Sequence, residues 1–175
     1  MTLSEKAAIV LEAVEQGFIH EDGIIRWAES ASAAVEKPEP WLIKLALLTS
    51  SNITDYTRIL RGQSAESVPL HWRVQMVALA HQSGLLNLHD CLPKLFNILI
   101  FDPKEAQEDS LDKQLHSALV EWEGQGGLEV IEISLANNFE RLFREYLADA
   151  GEVTAIARAA GIISTAGTLG AANKP

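Results

Sequence analysis

Cysteine is nearly absent from this 175-residue chain: Cys91 is the only one. A lone thiol excludes an intrachain disulfide, and nothing in the composition calls for an oxidising compartment. Long apolar runs are also missing. No window approaches the ~20 residues of a transmembrane helix, and the stretch after Met1 is amphipathic, unlike the apolar centre of a signal peptide. Clustered basic residues are lacking as well. The fourteen Lys/Arg are dispersed, with Arg58, Arg61 and Arg73 the nearest thing to a patch, whereas phosphate neutralisation needs a concentration of positive charge. The chain is therefore expected to reside in the cytoplasm, with no membrane and no nucleic acid among its partners.

Catalytic and metal signatures are equally scarce. His81, His89, Asp90 and Cys91 lie within eleven residues, but a structural zinc site wants four ligands in paired spacings, and the two histidines fall on different predicted helices. Cys91 occupies a position expected in a helix core, and no G-x-S-x-G turn surrounds any candidate nucleophile. Residues 124–127, Gly-Gln-Gly-Gly, lack the preceding strand and the Lys-Ser/Thr of a phosphate-binding loop and read as a hinge. His20, Glu21 and Asp22 read as a helix start, where carboxylates favour the dipole. No cofactor, no metal and no catalytic residue is expected.

What the chain does have is acid, unevenly placed. Residues 102–152 hold thirteen of the twenty-four carboxylates and four of the fourteen Lys/Arg, a formal charge of −9 out of −10. Asp102, Glu105, Glu108, Asp109 and Asp112 crowd eleven residues with only Lys104 among them, and Glu121 and Glu123 follow. Such crowding is either an ordinary solvated surface or a patch whose self-repulsion a basic partner would relieve.

Helical spacing dominates the rest. Thr2 and Glu5 have the spacing of a capping box ahead of Leu3, Ala7, Val10, Leu11 and Val14. Gly17 stops this first helix, with Phe18 placed for a Schellman contact. A second helix from Glu21 turns Ile24, Trp27, Ala28, Ala31 and Val35 inward until Pro38. Pro40 opens a third, Asn52 caps a fourth, and Leu70, Val74 and Val77 mark a fifth that ends at Gly84. Leu88 to Leu99 form a sixth despite Pro93. Leu111, Leu115, Ala118 and Trp122 set the seventh. The eighth is expected over residues 128–147, because the helical spacing there outweighs the β-branched content of residues 128–133, and Gly151 is expected to cap it. Val153 to Ala160 form a last short helix.

Residues 13–19, Ala-Val-Glu-Gln-Gly-Phe-Ile, echo residues 80–86, Ala-His-Gln-Ser-Gly-Leu-Leu, at an offset of 67. Both duplication and the general needs of a helical hairpin produce such a match. Of the four tryptophans, Trp27, Trp41 and Trp122 lie on predicted buried stripes. Trp72 lies off its stripe, between His71 and Arg73, and is a candidate for a binding surface.

Residues 17–47, with Gly17-Phe18-Ile19, Ile24-Ile25-Arg26-Trp27-Ala28-Glu29 and the run from Pro40 to Leu47, resemble a pattern near the N-terminus of small bacterial helical proteins. Some of these are similar to the immunity partners encoded beside polymorphic toxins. The resemblance implies a helical protein-binding role and carries no functional residue.

The expectation is an all-α fold of eight or nine helices packed as antiparallel pairs, with a degenerate duplicated unit as one reading. Residues 1–160 would make one domain, and residues 161–175 a small-residue tail. The chain is read as a non-enzymatic module binding a basic protein, in its sharpest form an immunity protein. Its contact residues would be Asp102, Glu105, Glu108, Asp109, Asp112, Glu121, Glu123 and Trp72. The alternatives are a helical scaffold or homodimeric subunit, and, more remotely, a small helical enzyme without a recognisable motif.

Overall fold

A capping box starts the first helix. The Thr2 hydroxyl accepts from the Glu5 backbone N–H at 3.2 Å while the Glu5 carboxylate accepts from the Thr2 N–H at 2.6 Å, satisfying two donors that a helix start leaves bare. The computed structural model describes residues 1–49, 52–65, 68–100, 110–125 and 131–163, and among them finds nine helices and no strand. These are α1 (Leu3–Glu15), α2 (Glu21–Ala33), α3 (Pro40–Ala46), α4 (Ile53–Arg61), α5 (Leu70–Gln82), α6 (Leu88–Ile100), α7 (Leu111–Gly124), α8 (Ile133–Leu147) and α9 (Gly151–Ala159). The all-α expectation, with helices packed as antiparallel pairs, is met.

The chain packs as two compact units, one of residues 1–66 and 154–175, the other of residues 67–153. In the first, α2 packs on α3, α1 packs on α4, and α4 also touches α2 and α3. Its core gathers Ile9, Val10, Ile24, Trp27, Leu42, Leu45, Tyr56 and Leu60, and the Tyr56 hydroxyl donates to the Leu48 carbonyl at 2.8 Å. The end of α9 seats on α2. Arg26 donates to the Ala160 carbonyl at 3.1 Å, and a Cβ on Gly23 would come within 2.8 Å of that same oxygen, so only glycine allows the approach.

In the second unit α5 packs on α6 and α8, and α7 closes the ring by touching both. The core is larger in side-chain volume, with Met76, Leu92, Leu95, Ile98, Leu115, Leu119, Phe139, Leu142 and Phe143 all buried. Pro93 lies in the second turn of α6 and is exposed, so its missing N–H costs one backbone bond on the solvent side.

The echo at offset 67 extends to helix bounds and turns but not to packing, since α5 packs on α6 whereas α1 packs on α4. Helices α1 and α5 have the same length and bounds 67 residues apart, as do α2 and α6. Each first helix ends in a Schellman turn. Gly17 has φ +78° and Gly84 φ +77°. The Phe18 N–H donates to the Ala13 carbonyl at 2.8 Å, and the Leu85 N–H to the Ala80 carbonyl at 2.9 Å. A third copy ends α9, with Gly161 at φ +80° and the Ile162 N–H donating to the Ala157 carbonyl at 2.8 Å.

Four expectations need correction. Helix α8 begins at Ile133, since Glu132 has φ −56° and ψ 140° and Ile131 is non-helical; residues 128–130 lie outside the described residues. Ile133 is 81% exposed, so no buried stripe draws the helix further back. Gly151 opens α9 instead of capping α8, which ends on Ala148. Val35 faces out, 51% exposed, because α2 stops at Ala33 and the helical period no longer governs its direction. Trp41 and Trp122 are half-buried where full burial was expected.

Candidate interaction surface

Helix α7 carries the described part of the acidic region. It starts on Ser110, whose hydroxyl accepts from the Lys113 N–H at 3.3 Å. Asp112, in its first turn, is half-buried and accepts a hydrogen bond from the Tyr146 hydroxyl of α8. Burial first, and then this bond to a carboxylate, push the Tyr146 phenol well above its ordinary pKa. The Asp112 carboxylate thus ties α7 to α8.

Glu121 and Glu123 are exposed on the last turns of α7. Successive helical residues turn by ~100°, so Glu123 shares a side with Asp112 while Glu121 lies roughly opposite. Asp112 lies at one end of α7 and Glu121 and Glu123 at the other, and the three do not form a single stripe. Asp102, Glu105, Glu108 and Asp109 lie outside the described residues. Trp72 sits on α5, half-buried, its ring in edge contact with His71 at 5.2 Å between centroids. Trp27 and Trp41 meet at 6.2 Å in the first unit. The Trp122 indole N–H is buried without a hydrogen-bond partner among the described residues.

Other polar groups of the second unit have structural occupations that periodicity does not reveal. Gln75, 2% exposed, donates through Nε2 to the Tyr146 carbonyl and to the Asp149 carboxylate, both at 2.9 Å. His81 meets an oxygen at each ring nitrogen, the Leu86 carbonyl at 3.0 Å and the Glu140 carboxylate at 2.8 Å. Arg141 donates to Glu145, to Asn138 at 3.0 Å and to Gln114 of α7 at 3.1 Å. These partners lie up to 74 residues apart in sequence, beyond the reach of any local pattern.

The sequence cluster of His81, Asp90 and Cys91 does not converge on a reactive centre. Burial, reinforced by Asp90, pushes the Cys91 thiol up to about 12, so it stays protonated at neutral pH and is a poor nucleophile. Among the described residues no group of three or more His, Cys, Asp or Glu side chains is placed to hold a metal ion. No helix among them is long and apolar enough to cross a membrane.

Electrostatics separate the two units. Residues 67–153 carry fourteen carboxylates against six Lys/Arg, a formal charge of −8, and the rest of the chain carries ten against eight, −2. No family model matches the chain, and no curated protein or solved structure is significantly similar to it.

Proposed function

We propose that the chain is a non-enzymatic binding module whose acidic second unit docks a basic protein, as an immunity protein does when it covers the basic groove of a toxin. The observation carrying this reading is the charge of −8 confined to residues 67–153, with Glu121 and Glu123 exposed at the end of α7. A field of one sign steers an oppositely charged partner and raises the association rate more than the final affinity.

The test is co-purification with the protein encoded beside this one, followed by association rates over a salt series. Changing Glu105, Glu108, Glu121 and Glu123 to Gln is expected to slow association about tenfold at low salt, with the difference vanishing near 1 M, where the Debye length is ~3 Å. Asp112 is kept intact because its carboxylate holds Tyr146. A partner whose association rate ignores both salt and these substitutions would place the interface elsewhere, with Trp72 the next residue to replace.

A further inference from the structure

Near its end, helix α5 carries a histidine that joins three elements. The His81 side chain is 17% exposed, and its ring meets that of Phe143 on α8 edge-on, with 5.5 Å between centroids. Its Nδ1 lies 3.0 Å from the Leu86 carbonyl, in the turn before α6, and its Nε2 lies 2.8 Å from the Glu140 carboxylate of α8. Leu86 belongs to the glycine turn itself, since its N–H donates to the Ala80 carbonyl at 3.1 Å. At offset 67 the turn after α1 has Val14, an aliphatic side chain, in place of the ring.

The two oxygens at His81 only accept. A carbonyl carries no proton, and an ionised carboxylate has none to give. A neutral imidazole has one N–H and one lone pair, so it satisfies one contact and sets its lone pair against the other oxygen. The imidazolium donates at both nitrogens, and its bond to the carboxylate is strengthened by both charges. The two contacts together therefore make a site for one proton. Among the described residues, Glu140 is the one charged group within bonding distance of the ring. On α8 its neighbour is Arg144, whose Nε donates to the Glu140 backbone carbonyl at 3.2 Å. On α6 the charges are Asp90 and Lys94, which act with Glu140 on Cys91, and His89 precedes them.

We propose that His81 is a proton-operated latch: the charged ring ties the turn between α5 and α6 to α8, and loss of one ring proton releases one of the two ties. Histidine is the side chain whose charge changes between about pH 5 and pH 8. A site that binds a proton in the folded state and not in the unfolded one adds stability that falls as pH rises. The latch does not depend on the acidic docking surface, and its test needs no partner.

Imidazole ¹⁵N spectra of the full labelled chain test this. At about pH 5.5 both His81 nitrogens are expected to carry protons, and by about pH 8 one proton should be gone, with the Leu86, Asn87 and Glu140 amides shifting in step. Glu140→Gln supplies an amide that can donate or accept, and so serves the neutral ring as well as the charged one. Between those pH values the unfolding constant from urea denaturation should grow roughly fivefold more in the unaltered chain than in Glu140→Gln, the order of one partly exposed charged hydrogen bond. A single protonated nitrogen at about pH 5.5 overturns the proposal, as do Leu86 and Asn87 amide shifts that ignore the titration of the ring. Equal pH dependence in the unaltered chain and Glu140→Gln overturns it too. The ring spectra use the unaltered chain and decide the matter if the variant does not fold.

Discussion

In the first unit, the helix after the glycine turn presents Ile24, Ala28 and Ala31. In the second, the equivalent positions of α6 hold Cys91, Leu95 and Ile98. The first pair favours the first unit in size and the other two favour the second, as do Ala7 and Ala8 in α1 where α5 has Val74 and Gln75, all four buried. Identical helix bounds and matching Schellman turns therefore frame two cores of different fill. The turn is specified by the glycine and the two apolar residues after it, but the packing of the helices it joins is not: α5 packs on α6, whereas α1 packs on α4 and α2 on α3. The surfaces differ as well, since the second unit carries a formal charge of −8 and the rest of the chain −2.

Exchanging the two fillings gives the largest expected effect. Leu95→Ala should destabilise the second unit by about 3 kcal/mol, the usual cost of a buried leucine truncated to leave a cavity. Ala28→Leu, the reverse exchange, should cost about 2 kcal/mol by overpacking, since Ala28 is fully buried. Urea denaturation of both variants measures this. A neutral Ala28→Leu would mean that the first core has slack around Ala28.

Alkaline pH should separate the units next. Cys91, whose counterpart at offset 67 is Ile24, has its folded-state pKa raised to about 12, against ~8.5 in an unfolded chain. Above pH 8.5 the unfolded thiol ionises and the folded one does not, so the unfolded state binds fewer protons and stability falls as pH rises. The loss should reach about 2 kcal/mol at pH 10, at about 1.4 kcal/mol per pH unit. Tyr146, also raised, adds to the loss above its unfolded value of ~10. Denaturation midpoints at pH 7.5 and pH 10 should converge between the unaltered chain and a Cys91→Ala variant, whose own stability lacks this thiol-linked slope. A parallel decline in both would assign the alkaline loss to other groups.

Much of this frame was legible in the sequence, for reasons that are local. A capping box, an asparagine cap, a proline at the first position of α3 and glycine stops are short-range devices, and Thr2, Asn52, Pro40, Gly17 and Gly84 occupy those roles in the structure. The third Schellman turn was equally readable, as Ala157 to Ile163 repeats the pattern of alanine, three residues, glycine and two apolar residues. The misreadings come from carrying a period past its helix: Val35 beyond the end of α2, and Ile131 before the start of α8. Among the candidate site residues, Glu121 and Glu123 are exposed as a surface reading requires, but nothing local announces that Asp112 serves Tyr146, 34 residues away.

The finest test asks whether the two glycine turns are energetically as well as geometrically equal. Gly17 and Gly84 both hold a positive φ, and a Cβ at either would meet nothing within 4 Å. Crowding cannot contribute, so Gly17→Ala and Gly84→Ala isolate the backbone cost of the left-handed conformation, about 1 kcal/mol each. The two losses should agree within a few tenths of a kcal/mol in urea denaturation, and the double variant should show their sum, since the turns share no partner. The neighbouring cores differ in volume and charge, so equality would establish that the turn is a self-contained module. A Gly84→Ala cost well above that of Gly17→Ala would show instead that the second unit leans on its turn, through the His81 ring that meets the Leu86 carbonyl at 3.0 Å, a contact for which α1 offers only Val14.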